Sequence, residues 1–457
     1  MKKIFKIIIT CFVFSLMIAP SFAKKIVIKE SPFASLIKSS ALDKTSTIAM
    51  SIKDAKSGNI VYEYNQDKLL HPASTLKMFS VPAALSVLGE DYSFKTQLYV
   101  DNSNNLYVKL GADPLLTSAN LKNLAKDLRA QGIKNINNIY IDDSIIDNVE
   151  WGTGWMWDDE TNPHMAKFSA YNLDENLLKI TVSKDEAGVS KFQVGNMYPV
   201  AVLNKVAGSK VSKVEVNRYN WYSPDIIELK GCVDTPVIVS VPINNMRRYF
   251  TYKLAEYLTS NHIKYMSENF TSANVPKDAK LVAETSHSIN DVLPLVLKNS
   301  NNRAAETLCK VAASKSNNST GTNELSAKLI KDFYISNGVK SESVLFADAS
   351  GASRNNLLSV NWMTSSLNSL YALKSFDYIK SNMAQPGDGT MLNRLYDLRG
   401  NVWLKTGTLS NISGLTGYVK AKNEKMYSVA ILIQNFGNSQ TEAKQLEDNI
   451  INLIYQL

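Results

Sequence analysis

Three short stretches carry the residues with chemistry to offer, and their spacing limits the fold more than any other feature. They are His71-Pro72-Ala73-Ser74-Thr75-Leu76-Lys77-Met78-Phe79-Ser80, then Ser300-Asn301-Asn302, then Lys405-Thr406-Gly407-Thr408. On a helix, residues three apart share a face with Cβ atoms about 5–6 Å apart, so Lys77 can bring its amine to the Ser74 oxygen. Pro72 ahead of good helix formers fits a helix that begins here. A helix N-terminus offers free N–H groups and partial positive charge, which favour negative charge developing near Ser74. For Lys77 to take a proton at neutral pH its ammonium form must be disfavoured, by burial or by a neighbouring cation. Lys405 is the second lysine this chemistry requires, and Ser300 and Asn302 add a hydroxyl and an amide. If the three stretches meet, residues of about 89–280 must leave the body that carries them and return, as an insertion.

Ser-x-x-Lys alone is a weak signal, since the pair recurs by chance and its plain reading is a capped helix. The weight lies in the ordered set Ser-x-x-Lys, Ser-x-Asn, Lys-Thr-Gly, a signature of class A β-lactamases and penicillin-binding proteins. To these the chain adds Gly111-Ala112-Asp113-Pro114, Gly154-Trp155-x-Trp157, Ser350-Gly351-x-Ser353-Arg354, Asp388-Gly389-Thr390 and a leucine after Thr408. With them it resembles the D-alanyl-D-alanine carboxypeptidase/endopeptidase family, the class C low-molecular-mass penicillin-binding proteins, over nearly all of the mature chain. The long gap from Ser74 to Ser300 is itself a trait of that family, whereas class A β-lactamases set the two motifs much closer. Asn301 stands where the signature has aspartate, which bears on the support of that loop more than on its chemistry.

The resemblance implies an α/β (α+β) fold. A serine β-lactamase/penicillin-binding-protein transpeptidase-like domain, with an antiparallel sheet faced by helices, would carry two inserted subdomains. The expected divisions are 1–23 as a signal peptide, 24–88 and 281–457 as the catalytic domain, 89–168 and 245–280 as an inserted α/β subdomain, and 169–244 as a nested, mainly β subdomain. The residues agree in outline. Lys2, Lys3 and Lys6, the apolar run from Ile7 to Ile18 and the small-x-small site Ser21-Phe22-Ala23 read as an export leader. No later stretch approaches the length of a membrane span. Alternation of Ile48, Met50 and Ile52 with Ala49, Ser51 and Lys53, ahead of Gly58-Asn59, predicts a hairpin. Met78, Phe79, Ala84, Leu85 and Leu88 predict a helix after Ser74, kinked or restarted at Pro82. Strand signals at Leu178–Val182, Lys213–Val216 and Pro236–Val241 make the nested part mainly β, and Glu442–Leu457 predicts a closing amphipathic helix.

Other classes of function find little support. The formal charge of +8 falls to about +5 without the three leader lysines. The remaining basic residues are scattered singly, without the Arg-rich block of a nucleic-acid binder. His71, His164, His262 and His287 form no metal-binding pattern, and His71 reads as a packing or helix-entry residue. Cys11 falls in the leader; Cys232 and Cys309 lie in different expected domains and are read as unpaired.

The implied reaction is acyl transfer on peptidoglycan stem peptides and their cross-links. Ser74 attacks, Lys77 takes its proton, and Ser300, with Lys405 and Asn302, relays that proton toward the leaving amine. Lys405, Thr406 and Thr408 would hold the substrate carboxylate. Gly407 would let a substrate backbone approach closely. The family further implies an oxyanion hole from the N–H groups of Ser74 and Thr408, and a subsite in which Asp159 and Arg354 receive the side chain of a diamino acid. The tryptophans at 151, 155 and 157 serve either that subsite or, more plainly, as aromatics joining two domains. No metal or organic cofactor is required, and β-lactams should acylate Ser74 as inhibitors. Two rival readings are a non-catalytic wall-binding or division-partner protein on the same fold, and a β-lactamase. The latter lacks a Glu-x-x-Leu-Asn pattern between Ser300 and Lys405.

Overall fold

Ile48, Met50 and Ile52 are buried on one face of strand β1 (Thr47–Asp54) and Ala49 and Ser51 on the other, so β1 lies inside a sheet. The computed structural model describes residues 31–218, 226–266 and 270–457, so the leader reading of residues 1–23 falls outside the described residues. After β1 the chain turns at Gly58, whose φ of 76° suits glycine, and returns as β2 (Ile60–Tyr64). The other three strands of this sheet come from the far end of the chain: β3 (Val402–Leu409), β4 (Ile412–Lys420) and β5 (Met426–Gln434). The order is β3-β4-β5-β1-β2, every pair antiparallel, with β1 joined to β5 from Thr47 opposite Gln434 to Asp54 opposite Tyr427.

Helices cover both faces of this sheet. Ile48, Met50, Ile431 and Leu404 share one apolar cluster with Phe33 and Ile37 of the helix Pro32–Ser39 and with Leu446, Ile450 and Ile454. On the other side Ala49, Ala430 and Leu432 join a cluster with the helices that carry the first two motifs. The first begins as a 3-10 turn, Ala73–Leu76, and continues as α1 (Lys77–Leu88). Of the kink or restart expected there, the restart does not occur at Pro82. The helix runs through it, and the change of helical type falls earlier, between Leu76 and Lys77. Every residue from Lys77 to Leu85 is buried, and packing of that extent offsets the one backbone hydrogen bond a proline removes. Helix α2 (Ile289–Leu297) leads to Ser300, and α3 (Asn302–Asn317) follows. Asn301 is the N-cap of α3, its Oδ1 accepting from Ala304 N–H at 2.9 Å, so asparagine performs the capping that aspartate would. Helices α4 (Val360–Tyr371) and α5 (Gln440–Tyr455) complete the layers.

Between α1 and α2 a second five-stranded sheet runs in the order 271–272, 139–142, 106–110, 93–100, 280–288. Two three-stranded sheets lie within 177–242, one of strands 213–218, 226–233 and 201–208 and the other of 237–242, 177–184 and 190–194. We propose that these sheets mark the two inserted subdomains. The division between 280 and 281 then falls inside a strand, since Lys280–Ser288 pairs with Ser93–Val100 to its end. Cys232 and Cys309 are both free thiols. Among the described residues no helix is long and apolar enough to cross a membrane.

Candidate active site

Ser74 follows a tight turn. The residue before it, Ala73, has a φ of 47°, a left-handed conformation that costs a non-glycine residue roughly 1 kcal/mol. Two glycines press on this turn. A Cβ at Gly351 would come within 1.9 Å of Ala73 O, and one at Gly407 within 2.8 Å of Pro72 O. The Ser350 loop and strand β3 therefore close on the serine from two sides because neither carries a side chain there.

Lys77 is fully buried and has three neighbours. Its Nζ lies 3.0 Å from Ser74 Oγ, 2.6 Å from Asn302 Oδ1 and 2.7 Å from Ser350 O. The amide of Asn302 is oriented by its other end, where Nδ2 donates to His164 O at 2.9 Å. Two of the three neighbours can thus only accept. A neutral amine has two N–H groups and one lone pair, so with both N–H groups committed the lone pair is left to the serine hydroxyl. Burial brings the Lys77 pKa down to about 7, against the opposing pull of the Asp348 and Glu306 carboxylates and of Cys309.

Lys405, in the middle of β3, reaches Ser300 Oγ and Thr406 O, both at 2.9 Å. Burial, and then the charge of Lys77, holds its pKa well below the ordinary lysine value. Ser300 has a φ of 62°, so the second motif, like the first, is built on a left-handed residue. Strand β3 is an edge strand, and Leu404 N–H points away from β4 to Ala384 O at 3.0 Å. Backbone direction alternates along an antiparallel strand, so the N–H and C=O groups of Thr406 and Thr408 also face the open edge. Thr406 is half-buried and Thr408 exposed. An extended peptide could add to this edge as a further strand.

The insertion reaches into the site. His164 O holds Asn302, and Met165 Sδ lies 3.4 Å from the same nitrogen. Trp155 is buried, its Nε1 donating to Asp348 Oδ2 at 2.8 Å, and Trp151 packs edge-on against it. We propose that these two join domains, the plainer of the two readings. Trp157 does not; it is 83% exposed. Neither Asp159 nor Arg354 has a hydrogen bond or ion pair to Lys77 or Lys405 among the described residues. Their charges act on each other, but no ion pair joins them among the described residues; Arg354 Nη2 donates to Ser410 O at 3.4 Å. Partial burial, then the charge of Asp158, raises the Asp159 pKa. His71 takes no part in the cleft chemistry, its Nδ1 lying 3.3 Å from Asn356 O.

Three supports were not singled out from sequence: Glu306, the carboxylate of Asp348 and the His164 carbonyl. Asp348 accepts from Gly351 N–H, Ser353 N–H and Asn356 Nδ2, each at 2.7 Å, and so ties its loop together. Read from sequence, that loop drew its weight from Ser350-Gly351-x-Ser353-Arg354 and not from the aspartate ahead of it. Glu306 had a usable signal, since it stands four residues after Asn302 on the same helix face.

The cleft sets a lysine beside its serine, where many serine hydrolases set a histidine. The family model of the D-Ala-D-Ala carboxypeptidase 3 (S13) family matches residues 32–457, and the chain belongs to that family. It is 26% identical over 450 residues to D-alanyl-D-alanine carboxypeptidase DacB of Haemophilus influenzae, covering 91% of this chain and 92% of the relative. It is 25% identical over 431 residues to a D-alanyl-D-alanine carboxypeptidase of Actinomadura sp., covering 87% and 79% respectively. A crystal structure of penicillin binding protein 4 (dacB) from Haemophilus influenzae superposes with a TM-score of 0.82 at 24% identity, over 94% of this chain and all of that one. That likeness establishes the transpeptidase-like α/β fold.

Proposed function

We propose that this protein cleaves the bond between two D-alanines at the end of peptidoglycan stem peptides, and the D-alanyl link to a side-chain amine in cross-links, through an acyl-enzyme on Ser74. The observation that carries the reading is the set of three contacts at Lys77, which leaves its lone pair for the serine proton. Ser74 Oγ adds to the carbonyl carbon while Lys77 takes its proton. The N–H groups of Ser74 and Thr408 stabilise the oxyanion, a donor of that kind contributing roughly 3 kcal/mol. As the intermediate collapses the amine leaves with a proton delivered through Ser300 from the lysines. Water then cleaves the ester and restores Ser74. The two activities differ only in the leaving amine.

A terminal carboxylate would lie along Thr406, Gly407 and Thr408 beside Lys405. Its arrival returns negative charge to a lysine depressed by burial, which favours the ammonium and hence binding. Asp159 and Arg354 are placed here as the contacts for a third-residue side chain. A β-lactam offers the same carbonyl and carboxylate and would remain on Ser74. The name of the Haemophilus relative as a penicillin binding protein supports that step. The leader of residues 1–23 supports a place outside the cytoplasm, in the periplasm or cell envelope.

The test is to incubate the purified protein and its Ser74→Ala variant with a fluorescent penicillin, and to assay D-alanine release from a D-Ala-D-Ala pentapeptide. Persistent labelling and D-alanine release by the wild type alone are expected. A label that disappears within seconds would point to a β-lactamase. A folded wild type that neither labels nor releases D-alanine would point to a binding protein.

A further inference from the structure

Asn302, Glu306 and Lys310 recur every four residues along one face of α3, and each grips a different part of the molecule. Asn302 meets Lys77, and Lys310 reaches Asp147 Oδ1 at 2.6 Å and Val149 O at 2.9 Å in the insertion. Glu306, between them, is buried and turns to the loop that follows Asp348. Both its oxygens accept from Ala349 N–H at 3.1 Å, and Oε1 accepts from Ser350 N–H at 2.8 Å. The carbonyl of that same Ser350 is the one that meets Lys77 Nζ at 2.7 Å.

We propose that Glu306 is a positioning residue for Lys77: it holds the Ser350 carbonyl against the lysine and supplies negative charge that keeps the buried amine basic enough to take the proton of Ser74. The proposal rests on Lys77 being the base. The groups facing this point are Lys77 from α1, Asp348 from the loop, Cys309 three residues further along α3, and Lys405 from β3 acting through Lys77. No ion pair joins Glu306 and Lys77 among the described residues; Ser350 stands between them. The carboxylate therefore acts on the amine by its field and through the loop rather than by direct contact.

The need for such a charge follows from burial. Removing an amine from water lowers its proton affinity, and an amine lowered too far is neutral but too weak a base to accept a serine proton. At Lys77 burial dominates, and Asp348 and then Glu306 pull back toward the ammonium. Burial, and then the charge of Asp348, also pushes the Glu306 carboxyl well above the usual carboxylate range.

The experiment measures the second-order rate constant of acylation by a chromogenic cephalosporin against pH, for wild type, E306Q and E306D. E306Q retains an oxygen for the Ala349 and Ser350 N–H groups and removes the charge. Its acid limb is expected to move to lower pH by about one unit, with a lower plateau. E306D draws the charge back by one methylene, and its limb is expected between the other two. If E306Q lowers the plateau and leaves the limb on that of the wild type, Glu306 is only a structural brace and the proposal is overturned. Should E306Q not fold, E306D decides: a limb displaced downward supports the proposal and an unmoved limb overturns it. Failure of the underlying reading looks different, because the wild type would then not acylate, or the Ser74→Ala variant would acylate as well.

Discussion

Lys77 Nζ lies 2.6 Å from Asn302 Oδ1 across 225 residues of chain, and the other end of that amide is held by His164 of the insertion. The inserted part thereby decides which end of Asn302 the base meets. Asn302→Asp puts an anion where the neutral oxygen was and favours the Lys77 ammonium. It also sets an acceptor against His164 O. The acid limb of acylation is expected to rise by about one pH unit, opposite to the effect of E306Q. Asn302→Ala should slow acylation by roughly 10²-fold or more at any pH. Stopped-flow acylation by a chromogenic cephalosporin measures both.

For the wild type, the pKa of Lys77 places the acid limb of acylation near pH 7. Above it the amine has a lone pair for the Ser74 proton; below it the rate should fall about tenfold per pH unit as the ammonium accumulates. The effect on stability has its own sign. Between about 7 and the ordinary lysine value of 10.5 the unfolded chain holds a proton that folded Lys77 has released. The contribution of this residue to stability therefore rises with pH through that window and is constant below it. Urea midpoints of wild type and Lys77→Met, compared across that window, should change differently with pH.

Lys310 and Asp147 tie α3 to the insertion unequally, for the lysine side chain is fully buried and that of the aspartate is 23% exposed. Asp147→Ala leaves a buried ammonium with Val149 O and the face of Phe168, and is expected to cost about 3 kcal/mol. Lys310→Met leaves a carboxylate that water can reach, and should cost clearly less. An equal loss in urea unfolding would contradict this asymmetry.

Asp159→Ala tests the contact proposed for the third residue. If Asp159 receives a side-chain amine, kcat/KM should fall about tenfold for stem peptides with a free amine at the third residue. Peptides acetylated there should be unaffected. Penicillin acylation should also be unchanged, because the variant leaves Ser74, Lys77 and Lys405 in place.

Much of the site was open to reading along the chain because it consists of local patterns. Ser74 and Lys77 are three residues apart, and Lys405-Thr406-Gly407 lies in a strand rich in β-prone residues. What stayed hidden acts through the backbone or across great distances in sequence. The His164 and Ser350 carbonyls are main-chain groups that any residue supplies, so no letter of the sequence marks them. Glu306 serves peptide groups more than forty residues away and looks, on its own helix, like one more charge. Pro82 brings no restart for a different reason: a proline rule describes an isolated helix, and α1 is buried along the stretch in question.

The order β3-β4-β5-β1-β2 also has a bearing on how the molecule comes into being. Lys53 of β1 and Ser428 of β5 are opposite one another, with a hydrogen bond spanning 375 residues. As the ribosome releases the chain, the first hairpin and the nucleophile turn emerge long before the strand that completes their sheet. Loop closure over such a distance is slow, and a half-made sheet edge invites wrong partners until it is filled. Lys405 arrives with the same late segment. A chain cut short before β3 would hold Ser74 and Lys77 without Lys405 and without the strand that closes over them.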